Sequence, residues 1–290
     1  MKKIGFIGTG VMGSSMVKHL LNAGYPVTVY NRTKEKAQAV IDAGAIWANT
    51  PKEVSSQSDV VLTIVGYPTD VEEVYFGEDG IFEGLEKGKI LIDLTTSTPS
   101  LAKKIAEEAE KFSCEALDAP VSGGDLGAKN GTLSTMVGGK ESVLEEVRPI
   151  LETFSKTITL QGTNGAGQHT KMANQIMIAG TMTGLVEMLV YAKAAELDLD
   201  KVLQTVGAGS AANWSLSNYG PRILKKDYSP GFFAKHFLKD LRIAIDESER
   251  MGLFLPATLQ ARKLYETVCD DGYGDLGTQA LIHLYWTLPE

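Results

Sequence analysis

Cysteine is scarce in this chain. Cys114 and Cys269 are the only two in 290 residues, so no disulfide framework can hold the fold, and the count fits a reducing compartment. Net positive charge is missing as well. With 28 Lys and Arg against 36 Asp and Glu, the formal charge is −8. That argues against a general nucleic-acid binder, whose phosphate-facing surface has to be basic. No apolar run reaches the length of a membrane span: the longest, "IMIAGTMTGLVEMLVYA" at 176–192, carries Glu187 and reads as a buried helix. The chain enters a strand within a few residues of Met1, so no signal peptide is expected, and the reading is a soluble, cytoplasmic protein with no membrane partner. Internal repeats and low-complexity segments are also lacking.

What is present is apolar bulk in a regular pattern. Hydrophobic residues make up 43% and charged residues 22%, enough to bury cores in the two domains that this length suggests. Up to about residue 162, short β-rich runs alternate with helical stretches: "KIGFIG", "PVTVYN", "DVVLTIV", "KILIDLT", "CEALDAP", "LSTMVGG" and "TITLQG". Several are continuously apolar, as strands covered on both faces are, and their alternation with helices predicts an α/β unit with a parallel, doubly wound sheet. After "QGTNGAGQ" the texture becomes helical. Patterns at 169–197, 199–206, 232–251, 256–271 and 274–286 predict an all-α second domain. The division is drawn at 1–163 and 164–290.

"GFIGTGVMG" sets Gly8, Gly10 and Gly13 in G-x-G-x-x-G spacing between a strand and the helical "SSMVKHLLNAG". Gly8 permits a tight turn, Gly10 lets backbone approach a pyrophosphate, and Gly13 allows close helix–strand packing. With Val11 and Met12 they form a dinucleotide loop at a helix N-terminus. A second absence then matters. The second strand ends "VTVYNRTKEK", without the acid that normally holds the adenosine ribose of NAD. Asn31 adds no charge to repel a 2′-phosphate, while Arg32 and Thr33 offer donors to one, with Lys34 and Lys36 nearby. This pattern points to NADP (NADPH), with NAD also open to it. The competing reading is a solvated basic turn with Thr33 as a helix N-cap.

Three further stretches carry chemistry. In "DAPVSGGDLGAKNGTL", Ser122, Gly123 and Gly124 can present a hydroxyl and consecutive N–H groups to an anion, although, taken alone, the stretch is better explained as a flexible loop. In "GAGQHTKMANQ", Lys171 lies about one turn into a helix, with Asn174 and Gln175 at i+3 and i+4. In "SPGFFAKHFLKDLRIA", Phe232, His236, Lys239 and Asp240 line one side of a helix, as a surface i, i+4 arrangement also would.

Together and in this order the four stretches resemble the β-hydroxyacid dehydrogenase family, over essentially the whole chain. That resemblance implies a Rossmann-type N-terminal domain, a long interdomain helix, an all-α C-terminal domain for substrate and oligomerisation, and homodimers or homotetramers. It also implies residue roles. Lys171 matches the catalytic general acid/base and Asn174 the substrate-orienting asparagine. Ser122, Gly123 and Gly124 match the loop that grips the substrate carboxylate. Thr96 matches a residue beside the nicotinamide ribose, Lys239 a cofactor-contacting lysine, and Asp240 a residue near the catalytic centre. Phe232 joins the substrate-binding set. No metal is expected. One position departs from the common pattern: Gln175 stands where a second Asn is frequent. The subfamily signals also diverge. "NRT" and "FFAKHFLKD" are similar to NADPH-linked reductases of succinic semialdehyde or glyoxylate, whereas "ANWSLSNYGP" is similar to hydroxyisobutyrate dehydrogenases. The implied activity is NADPH-dependent reduction of a short aldehyde or keto acid. The alternatives are oxidation of a β-hydroxy acid with NAD(P) and a non-catalytic NADPH-binding module.

Overall fold

Successive side chains of a strand point to opposite faces, so a strand covered on both faces must be apolar at every position. The computed structural model, which describes Met1–Trp286, shows this in the first strands. Ile4 and Phe6 of β1 (Ile4–Ile7) join one core cluster with Met16, Val17 and Leu20 of α1 (Val11–Asn22), and Ile7 joins a second cluster on the opposite face. The chain then runs through β2 (Val27–Tyr30), α2 (Gln38–Ile41), β3 (Ile46–Trp47), α3 (Pro51–Ser56), β4 (Val60–Thr63), α4 (Pro68–Phe76) and β5 (Ile90–Asp93). It continues with α5 (Pro99–Lys111), β6 (Glu115–Asp118), β7 (Val121–Ser122), α6 (Gly124–Asn130), β8 (Leu133–Gly138), α7 (Glu141–Leu151) and β9 (Ser155–Gly162). Strands β4 and β5 divide like β1: Val60, Leu62, Ile90 and Ile92 go to one cluster, Val61 and Leu91 to the other.

The spatial order is β3-β2-β1-β4-β5-β6-β8-β7, with β9 paired to β8. From β3 to β6 every pairing is parallel. This is the Rossmann-type doubly wound order, whose ligand crevice lies at the carboxyl ends of the strands. The sheet is not parallel throughout, however, as the pattern had suggested. β8 runs antiparallel to β6 and to β7, because the segment from Gly123 to Thr132 is too short for the crossover that a parallel β7–β8 pair needs.

By its internal contacts the chain divides into two units, Met1–Lys171 and Met172–Glu290; residues 287–290, the end of the expected second domain, lie outside the described residues. α8 (Ala166–Ala194) starts in the first unit and continues into the second. Then come α9 (Leu199–Gly207), α10 (Trp214–Leu224), α11 (Ala234–Arg250) and α12 (Pro256–Val268). Ala179, Met182, Leu185, Val186 and Leu189 of α8 pack into one cluster with Leu216 and Tyr219 of α10, Phe237 and Leu241 of α11, and Tyr265 of α12.

Two expectations about this half change. α8 is long and apolar enough, by length and composition alone, to cross a membrane, and it is not buried all round: Met177 is 67% and Tyr191 74% exposed. α10 falls in "ANWSLSNYGP", which lies outside the expected helical patterns. The helix forms because Asn213 caps it, accepting from Leu216 N at 2.9 Å, and it runs on through Pro221.

Candidate active site

Gly8, at φ +99°, leads out of β1; a Cβ there would overlap the Ile64 carbonyl, and a Cβ on Gly13 would overlap the Gly8 carbonyl. The first and third glycines therefore close the strand–helix junction. A Cβ on Gly10 would meet nothing within 4 Å. Gly10 is also the N-cap of α1 and offers no side chain to its first amides, so open space and helix-end N–H groups coincide, as a pyrophosphate requires. Val11, 59% exposed, begins α1, while Met12 packs against the core cluster beneath it. Their part in the loop thus rests on backbone amides.

At the end of β2 the missing acid has a structural counterpart. Asn31 Oδ1 accepts from Thr9 N at 3.0 Å, and Asn31 Nδ2 donates to Thr33 O at 2.8 Å. A carboxylate could make the first bond but not the second. Arg32 has an 81% exposed side chain with Nη1 3.5 Å from Asp70 Oδ1, a surface pair of the kind worth roughly 0–1 kcal/mol. Thr33 occupies the N-cap of a short 3₁₀ turn without a side-chain capping bond. These residues fit a 2′-phosphate: a solvated guanidinium, a hydroxyl, and a neutral amide in place of the acid.

The ends of β5 and β6 are buried and pinned. Asp93 Oδ1 accepts from Thr63 Oγ1 at 2.8 Å and from Thr95 N at 3.0 Å, and burial pushes its carboxyl up to about 6. Gln168 is fully buried; it donates from Nε2 to Thr95 O at 2.7 Å and accepts from Ser97 N at 2.9 Å. The half-buried Thr96 is thus held between two clamped neighbours. Asp118 accepts from Gly165 N at 2.7 Å and Gln168 N at 2.9 Å, so a carboxylate from β6 caps the start of α8. Burial raises the Asp118 carboxyl, and the two amides pull it back down.

Asp118 also sets the place of Lys171, one to two turns into α8. Lys171 is 6% exposed, and its Nζ donates to Val121 O at 2.9 Å. Val121 directly precedes Ser122, Gly123 (φ +129°) and Gly124 (φ +63°), two successive backbone conformations that L side chains rarely adopt. Lys171 and the Ser122–Gly124 loop, expected to act together, are therefore neighbours within the first unit. The segment 118–121 grips α8 at two points, by a carboxylate at its cap and by a carbonyl at its lysine.

The second unit assembles Asn174, Gln175, Lys239 and Asp240. Asn174 Nδ2 donates to Gln175 Oε1 and Gln175 Nε2 to Asp240 Oδ2, both at 2.7 Å, while Lys239 Nζ lies 2.9 Å from Asp240 Oδ1. His236 is held down by burial and by Lys239, with Asp240 opposing. Phe232 is not on their helix, contrary to expectation. Phe232 O accepts from Thr278 N, and Phe233 bridges Gly277, so this segment is extended ahead of α11. The Phe232 ring meets that of Phe237 at 5.8 Å.

Asp93, Asp118 and Gln168 had no assigned role from sequence. The available signal was an acid closing each of two apolar strands, "ILID" and "EALD", because a buried carboxylate demands donors. Among the described residues no group of His, Cys, Asp or Glu is arranged to hold a metal.

Comparison with known proteins agrees across the chain. The family described as the NAD binding domain of 6-phosphogluconate dehydrogenase matches residues 3–162. The family described as NAD-binding of NADP-dependent 3-hydroxyisobutyrate dehydrogenase matches residues 165–285. A probable 3-hydroxyisobutyrate dehydrogenase-like protein (mitochondrial) of Arabidopsis thaliana is 53% identical over 97% of this chain and 84% of its own. The 2-hydroxy-3-oxopropionate reductase of Escherichia coli K12 is 38% identical over 97% of this chain and 96% of its own. Among solved structures, 3-hydroxyisobutyrate dehydrogenase of Mycobacterium tuberculosis with L-serine superposes with a TM-score of 0.90 at 28% identity, covering 99% of this chain and 100% of that one.

Proposed function

The chain belongs to the β-hydroxyacid dehydrogenase family and is an NAD(P)-dependent oxidoreductase, and from that premise we propose that it is an NADPH-dependent reductase of short aldehyde or keto acids such as succinic semialdehyde or glyoxylate. The observation that carries the proposal is Lys171, buried, with Nζ 2.9 Å from the carbonyl of the residue before Ser122. A carboxylate held by the Ser122 hydroxyl and the 123–124 amides leaves the carbonyl end of a short acid within reach of that ammonium. When bound, the nicotinamide supplies the hydride. As the carbonyl oxygen gains negative charge, Lys171 stabilises it and donates the proton that makes the hydroxyl. Asn174, one turn along α8, orients the oxygen. Burial of Lys171 keeps water from competing for the proton.

The cofactor half of the proposal rests on the β2 end. Asn31 spends its amide on the loop backbone and adds no charge, and Arg32 and Thr33 are set to meet a phosphate. The E. coli relative reduces 2-hydroxy-3-oxopropionate by its name, which supports a short aldehyde acid here. A second reading, oxidation of a 3-hydroxyisobutyrate-like acid, is favoured by the M. tuberculosis likeness. It uses the same residues in reverse, with neutral Lys171 taking the hydroxyl proton.

The test is turnover of the purified chain with NADPH or NADH against glyoxylate, succinic semialdehyde, methylmalonate semialdehyde and 2-hydroxy-3-oxopropionate, with 3-hydroxyisobutyrate in the oxidative direction. Reduction of at least one aldehyde acid with NADPH preferred is expected. Failure of all four while NADPH still binds sinks the proposal.

A further inference from the structure

A dinucleotide has two halves, one on each side of its pyrophosphate. In the first unit the glycine loop lies at the carboxyl end of β1 and the residues that fit a 2′-phosphate at the end of β2. The nicotinamide half therefore runs the other way along the sheet edge, where the strand order places β4 and then β5, each about 5 Å further on. The segment that leaves β5 there is Thr95-Thr96-Ser97, and its buried contact is Gln168. Gln168 Nε2 donates to Thr95 O at 2.7 Å and its Oε1 accepts from Ser97 N at 2.9 Å. A residue in a neighbouring parallel strand makes the same two bonds, to the carbonyl before and the amide after the residue it faces. The β5–β6 ladder reaches Asp93 and Asp118; beyond them this side-chain amide takes the place of a strand opposite Thr96. Both partners are main-chain groups of fixed polarity, so the amide has a single orientation.

The base of this side chain is fixed as firmly as its tip. Gln168 N donates to Asp118 Oδ2 at 2.9 Å, and a Cβ on the preceding Gly167 would overlap the Met136 and Asp118 carbonyls, so the start of α8 lies hard against β6 and β8. Three residues on, Lys171 sits about 4.5 Å further along the same side of the helix. We propose that Gln168 is a positioning residue: it pairs with the main chain on both sides of Thr96 from the helical turn that leads to Lys171, and so fixes the seat of the nicotinamide relative to the proton donor. The inference rests on the reading of Lys171 as the general acid of an NADPH-dependent reductase. Hydride and proton go to the two ends of one carbonyl group, so the spacing of their donors decides whether both can act together, and an error of about 1 Å costs up to about 100-fold in rate.

Gln168→Met in the full chain keeps the length and volume of the side chain and removes both bonds. The measurement is a single turnover of NADPH-loaded protein with the aldehyde acid, followed by stopped flow: the rate constant reports the chemical step and the amplitude reports the active fraction. The hydride-transfer rate constant, recognised by its slowing with NADPH deuterated at the transferred position, is expected to fall about 10–100-fold, with the Kd for NADPH within about threefold of wild type. Gln279→Met is the control. Gln279, in the second unit, is also 0% exposed, and its Nε2 donates to Asp227 O at 3.1 Å and Ser229 O at 3.2 Å. Its loss should lower Tm and amplitude and leave the rate constant at the wild-type value. If Gln168→Met does not fold, Gln168→Asn replaces it. Its amide is drawn back by about 1.5 Å, one C–C bond, and an intermediate rate constant is expected.

A readout without turnover accompanies this. With no acid present, the nicotinamide emission of bound NADPH should show lower anisotropy in the position-168 variant than in wild type, because the segment that seats the ring is no longer paired. A wild-type rate constant in that variant, or an equal fall in Gln279→Met, overturns the inference while the proposed reaction stands. If the wild-type chain reduces no short aldehyde acid, the reaction fails and the anisotropy alone decides: equal values in variant and wild type overturn the inference too.

Discussion

The edge of the sheet carries two sites built by different means. At β1 and β2 the determinants lie within about thirty residues of one another, and their charge stays in water: the Arg32 side chain is 81% exposed and its neighbour Asp70 is a surface partner. At β5 and β6 the determinants are Asp93 and Asp118, 3% and 2% exposed. Their partners and those of Gln168 include residues 47 to 73 positions away in sequence. The difference follows the task. Attraction between a guanidinium and a phosphate acts over several ångströms and tolerates a mobile side chain. Proton transfer requires heavy atoms at hydrogen-bond distance, and the lysine proposed for it is clamped at both the cap and the flank of its helix.

Breaking the buried edge should cost most. Lys171→Ala is expected to lower kcat by about 10²–10⁴-fold with NADPH binding and Tm near wild type; near-normal turnover in a steady-state assay sinks the assignment. Asp118→Ala leaves the Gly165 and Gln168 amides buried without their acceptor. Denaturant unfolding should show a loss of about 2–4 kcal/mol, with turnover falling because α8 is no longer held; unchanged stability would mean that the cap does not position this helix.

Asp93 differs in sign. Burial holds its folded pKa at about 6 against 3.8, so the folded state binds this proton more tightly than the unfolded one. Its stabilisation is complete below about pH 4 and is lost as pH rises through about 6. Asp93→Asn cannot ionise. Its Tm should therefore gain on wild type between about pH 4 and pH 7 and then run parallel, a gain of up to about 3 kcal/mol. A difference independent of pH contradicts this.

The exposed edge should give the smallest effect and the most selective one. Arg32→Ala is expected to weaken NADPH by roughly 1–3 kcal/mol and NADH hardly at all. Equal losses for both cofactors would make Arg32 a structural residue and leave the comparison without its electrostatic half.

Legibility in the sequence followed the same division. The glycine loop and the absent acid could be read directly, because a strand, a tight turn, a helix and a second strand are consecutive and each glycine answers a local steric demand. The seven long strands stood out as apolar runs. The two-residue strands β3 and β7 are too short to show any period, and the reversed direction of β8, which makes the sheet mixed, leaves no mark in its own residues. The extended segment at Phe232 was hidden because its pairing partner, Gly277, is far along the chain. Lys171 and Ser122–Gly124 stood out as candidates, but their roles came by resemblance. Nothing local shows that Val121 O meets Lys171 Nζ, because that contact spans fifty positions.

From residues alone come the alternation of strand and helix, the dinucleotide loop, the uncharged β2 terminus, and the two strand-closing acids whose purpose could not be read. These are consequences of neighbours in the chain: periodicity, turn sterics and local charge. Which amides satisfy Asp93 and Asp118, where Lys171 comes to rest, and which way Gln175 turns between Asn174 and Asp240 were settled by packing. A buried charge accepts whatever donors the fold brings to it, and in this chain they arrive from distant strands and helices.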